Sequence, residues 1–328
     1  MVSKRHRVAV VAGAAALALG LSACGGDATE ADDSAATTIE ITDNHGTVTV
    51  PVDATSVVAT DNRTFQTLDD WGIELVAGAV SLMDPDRSYK NDDSIVDLGN
   101  HREPDLEALV AVQPDLVITG QRYSSYYEDI VGYVPDAAVV ELDPREGEDF
   151  GEELKRQTKV LGEIFGHEED AQALIDEFDA AIERVKSVYD PEQTVMAVIT
   201  SGGDINYSAP SVGRTLGPVY DLLGLTPSIE SPDDSSSVHT GDDISVEAIA
   251  DSNPDWIFAM DRDAAIAVNN GEEHTPAADL LADSEALQNV TAVQEGNIVY
   301  MPQYTYLNEG IQTYTTFFNA IADAMEAQ

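Results

Sequence analysis

The stretch EALVAVQPDLVITGQR, Glu107 to Arg122, returns 140 residues later as EAIADSNPDWIFAMDR, Glu247 to Arg262. Each copy opens on Glu-Ala, carries Pro-Asp at the same offset, continues through apolar residues and closes on arginine. Each reads as a helix, a break, a buried strand and a polar loop, because proline disfavours helix in the residue before it and fixes how the strand begins. A chain that writes this unit twice is expected to fold as two related halves. In a parallel α/β sheet, ligands bind at the carboxyl ends of the strands. Arg122 and Arg262 stand at such ends, while Glu107 and Glu247 stand at the helix starts. If two lobes face each other across a cleft, these become a pseudo-symmetric pair of arginines and a pair of glutamates.

The rest of the chain fits that division. TIEIT, DNHG and TVTVP predict a hairpin from residue 38. SVVAT then leads to TFQTLDDWG, DLEALVAVQ to PDLVITG, and SYYEDIVGYV to AAVVELD, an alternation that predicts α/β structure with a mostly parallel sheet. TVMAVIT, VGRTLGPVYDLLG, SVEAIADSN, PDWIFAMD, AADLLADSEALQ, NIVYMP and IQTYTTFFNAIADAME repeat the scheme. Between the halves, HEEDAQALIDEFDAAIERVKSVYD carries apolar residues at helical spacing, from Ala171, Leu174 and Ile175 to Val185, without Gly or Pro. The expected organisation is an N-terminal α/β lobe over 38–165, a connecting helix over 166–189 and a C-terminal α/β lobe over 190–328, with both lobes Rossmann-like.

The first residues carry an address rather than a fold. MVSKRHR is basic, VAVVAGAAALALGL is a short apolar run, and LSAC ends it at Cys24. The run is too short to span a bilayer comfortably, so residues 1–23 read as a signal peptide. LSAC resembles the lipobox of bacterial lipoproteins, which implies lipidation of Cys24 and attachment to a membrane. Small acidic residues over 24–37 then read as a flexible tether. Durable anchoring would need more than one acyl chain. Cys24 is the chain's only cysteine, so neither a disulfide nor thiol chemistry is expected in the folded part. With 61 acidic against 16 basic residues the net charge is −45, which should repel nucleic acid.

Taken in order and spacing, LSAC, EPDLEALVAVQPDLVITGQR, NYSAPSVGRTLGPVYDLLG, SVHTGDDISVEAIADSNPDWIFAMDR and NIVYMPQYTYL make the mature chain resemble the class III (cluster A) substrate-binding lipoproteins of ABC importers. Within that family it is most similar to binders of iron–siderophore complexes of the catecholate type. The resemblance implies a two-lobed fold joined by one long helix, a monomer with no intrinsic cofactor, and a ferric siderophore as ligand. It also implies an ABC permease with its ATPase as partner, and a location outside the cytoplasm, lipid-anchored to the outer face of the cytoplasmic membrane or periplasmic in a diderm cell.

Nine arginines follow the signal peptide, and Arg122, Arg214 and Arg262 fall at strand-to-loop junctions. Arg214 lies where a Gly-containing loop opens a helix, a position favourable to anions. The resemblance implies that these three line the cleft and face an anionic ferric complex. A charge pair about 5 Å apart at an effective dielectric near 20 is worth roughly 3 kcal/mol before desolvation. Remote surface carboxylates lie beyond a Debye length of about 8 Å and are screened, so the local cluster outweighs the acidic surface.

By the same resemblance, His239 and Tyr306 would contact iron when the siderophore leaves coordination sites open. Tyr304 competes with Tyr306 for that role, and Tyr207 would offer a ring wall or a hydroxyl. Glu107 and Glu247 would dock the permease, although a glutamate in a first helical turn also favours the helix by itself.

Other classes of function find less support. A zinc or manganese site would need several inward histidines, and His45, His101, His167, His239 and His274 show no short metal-binding spacing. Haem, cobalamin, hydroxamate siderophores and other iron chelates remain open as ligands of the same scaffold, as does a surface lipoprotein with no role in transport. The chain shows no nucleophile elbow, P-loop or Gly-rich dinucleotide turn, and an enzyme is not expected.

Overall fold

The computed structural model describes residues 37–231 and 235–328. The signal peptide, the lipidation site Cys24 and all but the last residue of the tether lie outside the described residues. The predicted hairpin forms as Thr38–Thr42 and Thr47–Pro51, with Thr42 opposite Thr47. Its turn is held by Asp43, whose carboxylate accepts the amides of His45 and Gly46. The other Asp43 oxygen accepts the amide of Glu141, fixing the hairpin to the first lobe.

The first sheet runs in the order Val96–Asp97, Ala77–Gly78, Val57–Ala59, Leu116–Thr119, Ala138–Glu141, all parallel. Leu116, Val117, Ile118 and Thr119 are all buried, as expected of a parallel strand covered on both faces. Chain order moves outward from Val57–Ala59 in one direction and then in the other. The loops after Val57–Ala59 and after Leu116–Thr119 therefore open a crevice between them.

The second sheet runs Asp204–Tyr207, Thr194–Ser201, Trp256–Asp261, Ile298–Tyr300. Its first pair is antiparallel and the others are parallel, with Thr226–Pro227 also pairing beside the start of Thr194–Ser201. Here the crevice falls between Ser201 and Arg262.

The helix anticipated at the midpoint is Glu168–Val188. It begins where His167 stacks on Trp71 of the first lobe, ring centres 5.0 Å apart. Further along it gives Phe178, Ala181, Ile182 and Val185 to the core of the second lobe. The preceding helix, Phe150–Phe165, also serves both cores, placing Leu154 in the second and Val160, Leu161 and Ile164 in the first. A Cβ at Gly162 would come 2.7 Å from the Cβ of Ala171, so glycine is what lets these two helices approach.

A third crossing joins the lobes just before the last helix, Ile311–Glu326. Asn62 donates to the Leu307 carbonyl, Asn308 to Gln66 at 2.7 Å and Gln312 to Thr67 at 3.0 Å. Residues Ala36–Gln328 form one compact unit.

Candidate functional site

The two copies of the duplicated segment fold alike through helix, break and strand. In place of the expected polar loop, the first continues into a 3-10 turn, Gln121–Tyr126, and the second directly into a helix, Arg262–Asn270. Each helix starts on a capping side chain: Asp105 accepts the Ala108 amide at 2.8 Å, and Ser245 accepts the Ala248 amide at 3.1 Å. Glu107 and Glu247 lie exposed in the first turns of these helices. The aspartates of the two Pro-Asp pairs tie each strand to the first strand of its own sheet. Asp115 accepts the amides of Thr55 at 2.9 Å and Ser56 at 3.0 Å, while Asp255 accepts the amide of Thr194 at 2.7 Å. The strands that follow carry both arginines to the carboxyl ends of their sheets, where the lobes meet.

Between the lobes lies a cavity of about 400 Å³. The first lobe lines it with Arg63, His101, Arg102, Gln121, Arg122 and Asp143, and the second with Arg214, Ser237, His239 and Tyr306. Tyr306 is its centre. The guanidinium carbons of Arg122 and Arg262 stand 4.4 and 4.7 Å from its ring centre, and that of Arg214 stands at 6.0 Å. Arg122 also donates to the Tyr306 hydroxyl at 3.3 Å and to its backbone carbonyl at 3.0 Å. The ring of His239 lies 6.3 Å from that of Tyr306.

The electrostatics follow from this crowding. Burial pushes the Tyr306 phenol up, but the guanidinium groups of Arg122 and Arg262 outweigh it and hold the phenol below its ordinary value. Burial lowers both His101 and His239, and the surrounding arginines lower them further, so both imidazoles are neutral with a free lone pair. Among the described residues no carboxylate pairs with Arg122, whereas Arg262 has Asp263 only at 3.8 Å and bonds Ser201 at 2.9 Å. The cavity thus presents uncompensated positive charge, a phenol whose ionisation the arginines favour and an unprotonated imidazole. Such a set suits an anion that carries a hard metal ion. Among the described residues no three His, Cys, Asp or Glu side chains come together as a metal-binding group.

Arg262 reaches the Tyr306 ring but is not among the residues that line the cavity, and two further predicted residues are placed elsewhere. Tyr207 is 2% exposed in the second lobe's core, and its hydroxyl donates to the Ile229 carbonyl at 2.8 Å. It offers neither a ring wall nor a hydroxyl to the cleft. The reason is strand alternation: in Asp204–Tyr207, Ile205 and Tyr207 share the buried face. Tyr304 faces a separate interlobe cavity beside Gln66, Asp84 and Arg87, so of the two competing tyrosines the arginines gather around Tyr306.

The sequence reading missed Arg63, Gln121, Asp143 and Glu309. Arg63 Nη1 pairs with Asp143 Oδ1 at 2.5 Å, and Arg63 lies 3.5 Å from Glu309. Glu309 also holds Arg214 at 3.0 Å and Gln121 at 3.0 Å. One signal was available for Arg63: it follows the strand Val57–Ala59 as Arg122 follows Leu116–Thr119. Nothing local marks Glu309.

Comparison with known proteins agrees with this geometry. The model of a family described as periplasmic binding protein matches residues 57–305. The petrobactin-binding protein YclQ of Bacillus subtilis is 28% identical over 316 residues, 93% of this chain and 95% of that protein. The ferric-anguibactin-binding protein FatB of Vibrio anguillarum is 28% identical over 268 residues, 81% of this chain and 80% of that protein. Among solved structures, the catecholate-siderophore binding protein VctP of Vibrio cholerae superposes with a TM-score of 0.74 at 24% identity, covering 89% of this chain and all of the other.

Proposed function

The chain belongs to the periplasmic binding protein family, and on that premise we propose that its interlobe cleft binds an anionic ferric siderophore of the catecholate type and delivers it to an ABC permease for iron uptake. One observation carries the reading: Arg122 from one lobe and Arg214 and Arg262 from the other converge on Tyr306. Three guanidiniums from both sides of a cleft suit a ligand whose negative charge is spread over several oxygens. The relatives that bind petrobactin and ferric anguibactin support the same class of ligand.

Ferric iron is the cargo here. When a siderophore supplies only four oxygens, two places of a six-coordinate shell stay open. In this reading His239 and Tyr306 would fill them, one as a neutral imidazole and the other as a phenolate that has given up its proton.

The remaining assignments belong to the same proposal. A signal peptide over 1–23 directs export, lipidation of Cys24 anchors the protein, and residues 24–37 tether a monomeric body with lobes over 38–165 and 190–328 joined through 166–189. Glu107 and Glu247, exposed on their two lobes, would meet basic pockets of the permease.

The deciding experiment titrates protein lacking residues 1–24 with ferric bis- and tris-catecholates, citrate, hydroxamates and haem, following tyrosine and tryptophan fluorescence. Quenching by ferric catecholates in the nanomolar to micromolar range is expected. Quenching by haem or hydroxamates alone would redirect the ligand assignment, and no response to any of them would refute it.

A further inference from the structure

Glu309 has no exposed surface, yet groups from both lobes point at its carboxylate. From the second lobe come Arg214 Nη2 at 3.0 Å and Thr215 Oγ1 at 2.6 Å. From the first come Gln121 Nε2 at 3.0 Å and Arg63 Nη2 at 3.5 Å. Three of these four residues (Arg63, Gln121 and Arg214) line the ligand cavity, so Glu309 sits directly beneath its floor. Burial alone would keep this carboxyl protonated, but Arg214 and Arg63 overcome it and hold Glu309 down to about 2. It is therefore a fixed negative charge. It cancels part of the arginine cluster from behind and leaves Arg122 and Arg102 as lining cations with no carboxylate partner among the described residues. Asp143 acts on Arg63 in the same sense from the cavity wall.

We propose that Glu309 is a specificity-determining residue, a buried counter-ion that lowers the positive charge of the cleft and so tilts it toward ferric chelates of low negative charge. The inference rests on the siderophore reading above and names which members of that class the cleft prefers. Ferric iron held by two catecholate dianions carries a single negative charge, and held by three it carries three. Both feel the arginines, but the second gains more from each added unit of positive charge. For a separation of about 8 Å and an effective dielectric between about 20 and 80, such a charge would alter the preference between the two complexes by roughly six- to a thousand-fold. Hydrogen bonding to Arg214 and Thr215 is a separate contribution, felt equally by both ligands.

The test compares the wild-type protein with Glu309→Gln and Asp143→Asn, using a tetradentate bis-catecholate and a hexadentate tris-catecholate as their ferric complexes. Affinities are read by fluorescence quenching and folding by thermal melting. Glu309→Gln is expected to shift the affinity ratio toward the tris-catecholate complex by about six-fold or more, whatever it does to the melting temperature. If both affinities change by the same factor, Glu309 acts only as a structural tie and the proposal is overturned. Should Glu309→Gln fail to fold, Asp143→Asn decides: a shift in the same direction supports the proposal, and an unmoved ratio overturns it. A wild-type protein that binds neither complex removes the siderophore reading itself, whereas one that binds both with ratios the variants leave unmoved removes only this inference.

Discussion

The guanidinium of Arg122 lies 4.4 Å from the ring centre of Tyr306, a residue 184 positions later in the chain and in the opposite lobe. Its Nη2 also donates to the Tyr306 carbonyl, so the contact fixes both the ring and the backbone turn that carries it. Arg262, the counterpart of Arg122 in the second copy of the duplicated segment, stands on the same ring at 4.7 Å. The repeat thus works as a clamp. Each lobe offers one arginine to a shared centre, and that centre is a phenol whose ionisation they promote.

If these arginines face the ligand, Arg122→Ala and Arg262→Ala should each weaken ferric catecholate binding by about ten- to a hundred-fold, the equivalent of one charge-assisted contact. Fluorescence titration at low and moderate salt checks this. An unchanged affinity in both variants would place the ligand elsewhere.

His239→Ala should separate the two kinds of chelate. Loss of an imidazole ligand weakens the bis-catecholate complex, which has open coordination sites, far more than the tris-catecholate complex, which has none. Equal losses, measured in parallel titrations, would count against contact with iron.

Charge reversal at both Glu107 and Glu247 tests docking. Iron uptake by cells should fall to background while the purified protein keeps its ligand affinity, since both side chains are exposed and neither lines the cavity. A large loss of affinity instead would contradict the docking role.

The pH dependence of stability follows from Glu309. Its folded value of about 2 lies below the ordinary 4.5, so its contribution is complete above about 4.5 and is lost as pH falls through about 2, on the order of 3 kcal/mol for a group buried this fully. Thermal melts of the wild type should decline over this acid window, and those of Glu309→Gln should be flatter there. Asp61 works in the opposite sense. Burial and the neighbouring Asp143 raise it to about 7, so the stability it contributes is present below about 4 and lost as pH rises through about 7.

Asp115 and Asp255 hold equivalent ties in the two lobes, accepting backbone amides where the first strand of each sheet begins: Thr55 and Ser56 just before Val57–Ala59, and Thr194 at the start of Thr194–Ser201. Asp115→Ala and Asp255→Ala should each cost about 1–3 kcal/mol, since each leaves strand-end amides without their carboxylate partner. For a body of this size that corresponds to a melting temperature lower by a few degrees. Ligand affinity measured on the folded variants should be unaffected.

Much of this was legible before any fold was seen. The hairpin, the alternation of helix and strand, the placement of Arg122 and Arg262 at strand ends and the exposure of Glu107 and Glu247 all follow from local rules. These are proline at a helix break, apolar periodicity, and capping residues three positions before the amides they accept. Tyr207 shows such a rule overlooked, because alternation with Ile205 already assigned it to the buried face.

The two-fold repetition of one α/β unit, with an arginine at the end of each copy, was therefore already present in local sequence. Backbone preferences of neighbouring residues are enough to set both. That Tyr306 rather than Tyr304 meets those arginines, and that Glu309 lies beneath them with Arg63, Gln121 and Arg214 as partners, emerges only once the lobes are packed. The two tyrosines are two residues apart around a tight turn and face different cavities. A buried carboxylate is tolerated only where distant cations close around it and repay its desolvation. Where they close depends on how the lobes pack, which no short stretch of the chain records.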